Sequence, residues 1–179
     1  PVVAPGLDVA ATASLADRTG PRGYLYRIGK GLPPEVAYQQ MASMVDGELR
    51  KAILAGGRGV VRESTGADRR AIGWRRVSDG DPCTFCVMLV SRGPAYTSVA
   101  KALTKGNGDP YHNHCGCTVE AVYGDWEPTE AEQKFVDAYM DAAEAADAAD
   151  EPRTAQTVLW RMRENGKFGD SPARRRVTK

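Results

Sequence analysis

All four cysteines and both histidines of the chain lie between positions 83 and 117. They stand as Cys83-Thr84-Phe85-Cys86 and, after 25 further residues, His112-Asn113-His114-Cys115-Gly116-Cys117. A Cys-x-x-Cys turn aims two sulfurs at one point. Thiolate and imidazole are the donors that Zn²⁺ binds best, and a structural site takes four of them. Four thiolates, or three with one imidazole, would complete such a site. Cys83, Cys86, His112, Cys115 and Cys117 are the candidate metal ligands, and the surplus donors would support the site or stand idle. One structural zinc would contribute on the order of 10 kcal/mol of folding energy. Two other readings stand beside this one: a disulfide between or within the two halves, and reduced thiols that pack the turn. A reducing compartment favours metal or free thiols over disulfides.

Enzymatic readings of the same cluster fare worse. Pro82-Cys83-Thr84-Phe85-Cys86 matches the second half of a zinc deaminase signature, but the His-x-Glu that must precede it is missing. His112-Asn113-His114 spells a nuclease-like string, yet no ββα unit follows to separate a general base from a second metal-binding residue. Cys-x-x-Cys redox chemistry calls for a thioredoxin-like alternation of strands and helices, which the chain does not show. No phosphate-cradling glycine loop and no Ser-His-Asp set can be picked out.

The elements around the cluster follow from pattern and punctuation. Residues 1–33 are rich in Gly, Pro and Ala and read as an extended arm with one short helix near Val9 to Asp17. Pro34 suits a first helical turn, where its missing N–H would lack a partner anyway. Met41, Met44, Val45, Leu49, Ala52 and Ile53 then recur at i, i+3, i+4 spacing. That predicts an amphipathic helix over 34–55, stopped by Gly56-Gly57, with Met41, Met44, Val45, Leu49 and Ile53 buried. Gly59 to Arg62 reads as a short strand and Ala67 to Ala71 as a helical turn. Gly73 to Ser78 and Thr118 to Tyr123 alternate as strands do. Asp79-Gly80-Asp81-Pro82 is a turn, Cys86 to Ser91 and Ser98 to Leu103 are short helical segments, and Lys105 to Pro110 is a loop.

Thr129 followed by Glu132 is a capping box, and a helix over 130–149 presents Ala131, Phe135, Ala138, Tyr139, Ala142 and Ala146 on one face. Pro152 breaks it. A last helix over 155–165 turns Val158, Leu159 and Met162 inward and stops at Gly166. The fold class is α+β and mainly helical. Amphipathic helices surround a small Cys/His-rich module with short β-strands, with the arm at one end and a basic tail at the other. The organisation is 1–33 arm, 34–124 Cys/His module with its leading helix, and 125–179 acidic helix, second helix and tail.

Gly56-Gly57-Arg58, Asp68-Arg69-Arg70-Ala71, Gly73-Trp74-x-Arg76-Val77, Cys83-x-x-Cys86-x-Met88-Leu89-x-Ser91-Arg92-Gly93-Pro94-x-Tyr96 and Tyr111-His112-x-His114-Cys115-x-Cys117 form one ordered series. It resembles the Mu F-like head-morphogenesis proteins, the minor head proteins of tailed bacteriophages, in the branch common in phages of actinobacteria. The resemblance covers about residues 35–123. It implies a virion component made in the bacterial cytoplasm and bound near the portal or major capsid protein inside the head. There it would help head assembly and DNA packaging or ejection. It implies no catalytic residue, no small-molecule substrate and no membrane. Family members carry a longer helical region before the cysteines, whereas 82 residues precede Cys83 here. With a start at Pro1-Val2-Val3, that points to a fragment or a processed product.

Composition is compatible with this reading. The chain has 179 residues, 42% hydrophobic and 26% charged, ordinary values for one globular domain. No basic start leads into an apolar stretch, as a signal peptide would, and apolar runs such as Val87 to Val90 are far too short to span a bilayer. Charge is segregated. Residues 125–151 hold ten acids and one base, and residues 152–179 hold eight bases and two acids. Blocks of this kind neutralise each other or face different partners. Arg174, Arg175, Arg176 and Lys179 are the candidates for contact with packaged DNA or an acidic partner, since the guanidinium fork matches phosphate. Two other function classes fit the same cluster: a nuclease or toxin-like effector enzyme, and a nucleic-acid-binding zinc module. A metal site closed by four protein ligands would speak for scaffolding, and an open one for catalysis.

Overall fold

Pro21 and Pro34 each open a helix, as a residue with fixed φ and no N–H does at a first turn. In the computed structural model, which describes residues 9–66, 68–103, 111–166 and 168–169, these become α2 (Pro21–Gly29) and α3 (Pro34–Gly66), preceded by α1 (Val9–Thr19). The short helix expected near Val9 to Asp17 is present as α1, but the rest of the arm, expected to be extended, is largely helical too, as α2. Its weak periodicity suffices because α1 and α2 pack on each other and on α3, and tertiary packing supplies most helical stability. Buried Gly20 makes the α1–α2 turn possible, since a Cβ there would meet the Ala16 carbonyl oxygen at 2.6 Å. Arg27 then ties the hairpin to α3, donating from Nε to Gln40 Oε1 at 3.0 Å.

α3 runs on for 33 residues, past Gly56-Gly57 and through the segment Gly59 to Arg62 that the pattern offered as a strand. The physical reason lies at Arg58, which is buried. Its guanidinium donates to the Cys115 carbonyl and lies 3.8 Å from the centre of the Tyr111 ring. Those contacts outweigh the roughly 1 kcal/mol that a glycine costs in a helix interior. The expected burial of the apolar stripe is also corrected. Met41, Met44 and Val45 are half-buried, but Leu49 is 47% and Ile53 78% exposed. The spacing established a helix; the neighbours of α3 cover a different side of it.

The remaining elements are β1 (Gly73–Val77), α4 (Thr84–Val90), α5 (Val99–Leu103), β2 (Thr118–Val122), α6 (Glu130–Ala148) and α7 (Ala155–Glu164). β1 and β2 pair antiparallel, from Gly73 opposite Val122 to Val77 opposite Thr118. Trp74, Ala102, Val119 and Ala121 form the core beneath this small sheet. A second core joins Val87 and Met88 of α4 to Ala142 and Ala143 of α6 and Val158 and Met162 of α7. The thin alanine face of α6 explains that layer, because small side chains let the helices approach closely.

The capping box is present: Thr129 Oγ1 accepts from the Glu132 N–H, and Glu132 reaches back to the Thr129 N–H at 3.0 Å. Glu132 also pairs with Arg75, which bonds Glu120 at 2.8 Å, so one guanidinium joins both strands to α6. Burial pushes the Glu132 carboxyl up, but the Thr129 N–H and Arg75 outweigh it and hold it below its usual value. Among the described residues no helix is long and apolar enough to cross a membrane.

Candidate metal centre

Two turns carry the donors. In the first, Cys83 is the extended N-cap of α4 and Cys86 lies one turn inside it. The segment after α7 closes over this turn: Thr84 donates from its N–H to Gly169 O at 3.0 Å and from Oγ1 to Phe168 O at 3.1 Å. In the second, the Cys115 N–H donates to His112 O at 3.1 Å, and His114 takes a positive φ of 62° to complete the turn.

The turns meet at five side chains. Cys83, Cys86 and His112 form one group with ligand atoms within 4.8 Å of one another, and Cys86, Cys115 and Cys117 form another. His112 Nε2 lies 3.3 Å from Cys83 Sγ and 3.5 Å from Cys86 Sγ. Cys86 Sγ lies 3.7 Å from Cys115 Sγ. In a tetrahedral zinc site with Zn–S near 2.3 Å and Zn–N near 2.0 Å, ligand atoms stand about 3.5–3.8 Å apart. The 3.5 Å and 3.7 Å spacings are those of tetrahedron edges, and the 3.3 Å one is slightly shorter. His112 Nδ1 sits 2.6 Å from Asn113 O. A carbonyl only accepts, so Nδ1 carries a proton, and Nε2 is the nitrogen left facing the sulfurs. Metal-bound histidines are held in this tautomer by such a second bond.

The electrostatics suit an anionic centre. Cys86, Cys115 and Cys117 are buried, as are Arg76 and Arg58. Arg76 donates to Ala102 O at 2.8 Å, and both guanidiniums lie on the Tyr111 ring, at 3.8 Å for Arg58 and 4.8 Å for Arg76. Buried cations are costly unless negative charge compensates them, and a zinc with three or four thiolates would supply it. Among the thiols, a hydrogen bond from Cys86 holds Cys83 down to about 4, and one from Cys117 holds Cys115 down to about 2. The same bonding pushes Cys86 up, chiefly through Cys115, and Cys117 up to about 12. The hydrogen bond to Cys83 raises His112. Two thiols thus ionise readily, and a bound cation would draw the proton from a third.

All five candidate ligands are brought together and are close enough to hold a metal. His114 turns away: its Nδ1 is 3.3 Å from Asp46 Oδ2 and its Nε2 is 3.4 Å from Ser43 Oγ, both on α3. Gly47 permits that approach, since a Cβ there would meet His114 Nε2 at 2.7 Å. Arg174, Arg175, Arg176 and Lys179 of the candidate DNA-contacting tail lie outside the described residues, as does the loop Lys105 to Pro110. Arg58, Arg76 and Tyr111 were not among the candidates. Arg76 shares a strand face with Trp74 in the alternation of β1, which was the available signal.

The model of the VG15 protein family matches residues 10–163, nearly all of the chain. No curated protein and no solved structure matches it. A match of that extent, spanning all nine described elements from α1 to α7 with the Cys/His centre between them, places the chain: it belongs to the VG15 protein family, a family of viral proteins from phages.

Proposed function

We propose that the chain is a structural minor head protein of a tailed phage. In this reading it sits at the portal or the inner face of the capsid and acts in head assembly and in DNA packaging or ejection. Its Cys/His centre holds one structural zinc. The viral family supports the first part, and the likeness to Mu F-like proteins supplies the role. The observation that carries the reading is the exposed row on α3. Tyr38, Leu49, Ile53 and Val60 are 60%, 47%, 78% and 40% exposed, and at 3.6 residues per turn they fall within about 60° of one another. Aligned apolar residues on a long helix mark a protein-interaction surface. Burial of Cys86, Cys115 and Cys117 supports a closed structural centre over the nuclease alternative, which needs an open coordination position.

The double variant Leu49→Asp with Ile53→Asp tests the role. Both side chains point to solvent, so unfolding free energy should change by less than about 1 kcal/mol. The copy number of the protein in purified heads should fall at least tenfold. Unchanged incorporation would reject the surface and the role built on it.

Packaged DNA is the second proposed partner, through Arg174, Arg175, Arg176 and Lys179. Binding of this kind is sequence-independent and weakens steeply with salt. No aromatic residue interleaves with those cations, so base stacking is not expected. The acidic block 125–151 competes for them, so affinity of the isolated chain should be weak. A salt series with duplex DNA, comparing the full chain with a truncation after Asp170, should show a smaller salt slope for the truncation. Equal affinity and slope would remove the tail from any DNA role.

A further inference from the structure

The α1–α2 hairpin and α3 enclose a cavity of about 300 Å³, lined by Arg18, Arg22, Gly23, Tyr26, Arg27 and Met44 among others. We infer that this cavity binds an unpaired nucleotide, with the arginines on its phosphate and its base against the Tyr26 ring. The site uses neither the Cys/His centre nor the basic tail, so it stands apart from the role proposed above.

Charge selects an anion. Between Val9 and Pro33 the chain has four bases, Arg18, Arg22, Arg27 and Lys30, and one acid, Asp17. Three of the four line the cavity. Arg27 is a fixed wall: its guanidinium donates to Gln40 Oε1 at 3.0 Å, to Gly23 O at 2.7 Å and to Met44 Sδ at 2.7 Å. Arg22 pairs with Asp17 at 3.0 Å, but both side chains are at least half exposed. An ion pair that exposed contributes little, so Arg22 can exchange Asp17 for a ligand at small cost. Arg18 has no ion-pair partner among the described residues. Two guanidinium forks are thus open to one phosphate, which they match with paired donors. Gly23 gives the cavity its floor, since a Cβ there would meet Arg27 Nη1 at 2.9 Å and Arg18 O at 3.0 Å. A glycine inside a helix is otherwise unfavourable.

The aromatic ring selects a nucleotide among phosphates. Tyr26 follows Arg22 by four residues, which puts both on one face of α2, and it is 66% exposed. Lys30 lies 5.6 Å from the centre of its ring. A bare phosphate makes no use of an exposed ring beside the cations, whereas a base stacks on it, and stacking is worth about fivefold or more in affinity per base. In a duplex the base faces are covered by their neighbours, so only an unpaired base can reach the ring. The cavity lies at the lower end of the roughly 300–1,000 Å³ of small-ligand pockets, room for one nucleotide. The basic tail, which has no aromatic residue among its cations, lacks this selectivity.

The experiment measures binding of a short oligo(dA) strand, the matching duplex, and deoxyadenosine monophosphate to the full chain over a salt series. Tyr26→Ala should weaken binding of the strand at least fivefold and leave duplex binding unchanged, while Tyr26→Phe should keep the affinity of the unaltered protein. Arg18→Gln with Arg22→Gln should lower the salt slope for the strand by about 0.7, the share of one phosphate on a single strand. Arg18, Arg22 and Tyr26 are all exposed, so thermal midpoints should not move. Competition by the mononucleotide would extend the site to free nucleotides, and strand binding that it does not displace would assign the site to nucleic acid; either result upholds the inference. Undiminished strand binding in Tyr26→Ala, an equal loss for strand and duplex, a weakened Tyr26→Phe, an unchanged slope in the arginine variant, or unaltered protein that binds no strand each overturns it.

Discussion

Cys86→Ser should leave a protein that no longer folds cooperatively at 25 °C. Cys86 is the one donor common to both triads, 3.5 Å from His112 Nε2 and 3.7 Å from Cys115 Sγ. In the structural-zinc reading proposed above, three ligands remain and the site loses most of a binding energy on the order of 10 kcal/mol, which in a small metal module is folding energy. Native proteins hold only about 5–15 kcal/mol in total. The apolar cores cannot make up the difference, because the cysteine cluster is itself one of the three core clusters and joins α4 to the segment before β2. Chelator applied to the unaltered protein should reproduce the effect, and acid should too, since protons compete for the same donors. Thermal unfolding with and without chelator, beside elemental zinc analysis, is the check. Cooperative unfolding indifferent to chelator, in protein that contains no zinc, would refute the prediction.

Met162→Ala should cost about 2–5 kcal/mol, toward the upper end of that range. Met162 is 1% exposed and sits with Val87, Met88, Ala142, Ala143 and Val158. The cost of such a truncation depends on how far the surroundings collapse into the space. Here the facing wall is alanine, on a helix fixed at its start by the Thr129–Glu132 box and by Arg75, so little can move in. Met140, on the same α6 but 43% exposed, serves as the control: Met140→Ala should cost less than about 1 kcal/mol. Urea unfolding of the two variants decides the point. Equal midpoints would show that the α4–α6–α7 layer is loosely packed.

What could be read from the residues divides along physical lines. Local signals transferred well. The Thr129–Glu132 box, the alternation of both strands and the inward set of α7 all rest on interactions within a few residues of one another, and each appears in the fold. The Cys/His convergence was legible because soft donors at Cys-x-x-Cys spacing have few other uses. Tertiary choices were not legible. Gly56-Gly57 reads as a stop until Arg58 finds Tyr111 and the Cys115 carbonyl. The stripe of α3 gave its period but not which side its neighbours would cover, so Leu49 and Ile53 were placed inside and stand outside. Arg58 and Arg76 were overlooked for the opposite reason, since a charged side chain is presumed solvated unless paired. In the N-terminal arm the helix near Val9 to Asp17 was legible as α1, whereas α2 needed α1 and α3 as partners before its weak pattern meant anything.

The grip of His114 on α3 has a mechanical consequence. The helix is about 50 Å long at 1.5 Å per residue, and the His114 contacts hold it near Gly47, about 20 Å from its first turn. α1 and α2 ride on that free arm and touch no other described element. A tilt of about 5° at the grip displaces Pro34 by about 2 Å, since the rise per residue sets the arm length. The fold is thus a first-class lever with its fulcrum beside the Cys/His cluster. A push on the N-terminal hairpin arrives at the His112–Cys115 turn as torque, and the packing of the buried cysteine cluster with Tyr111 is what resists it.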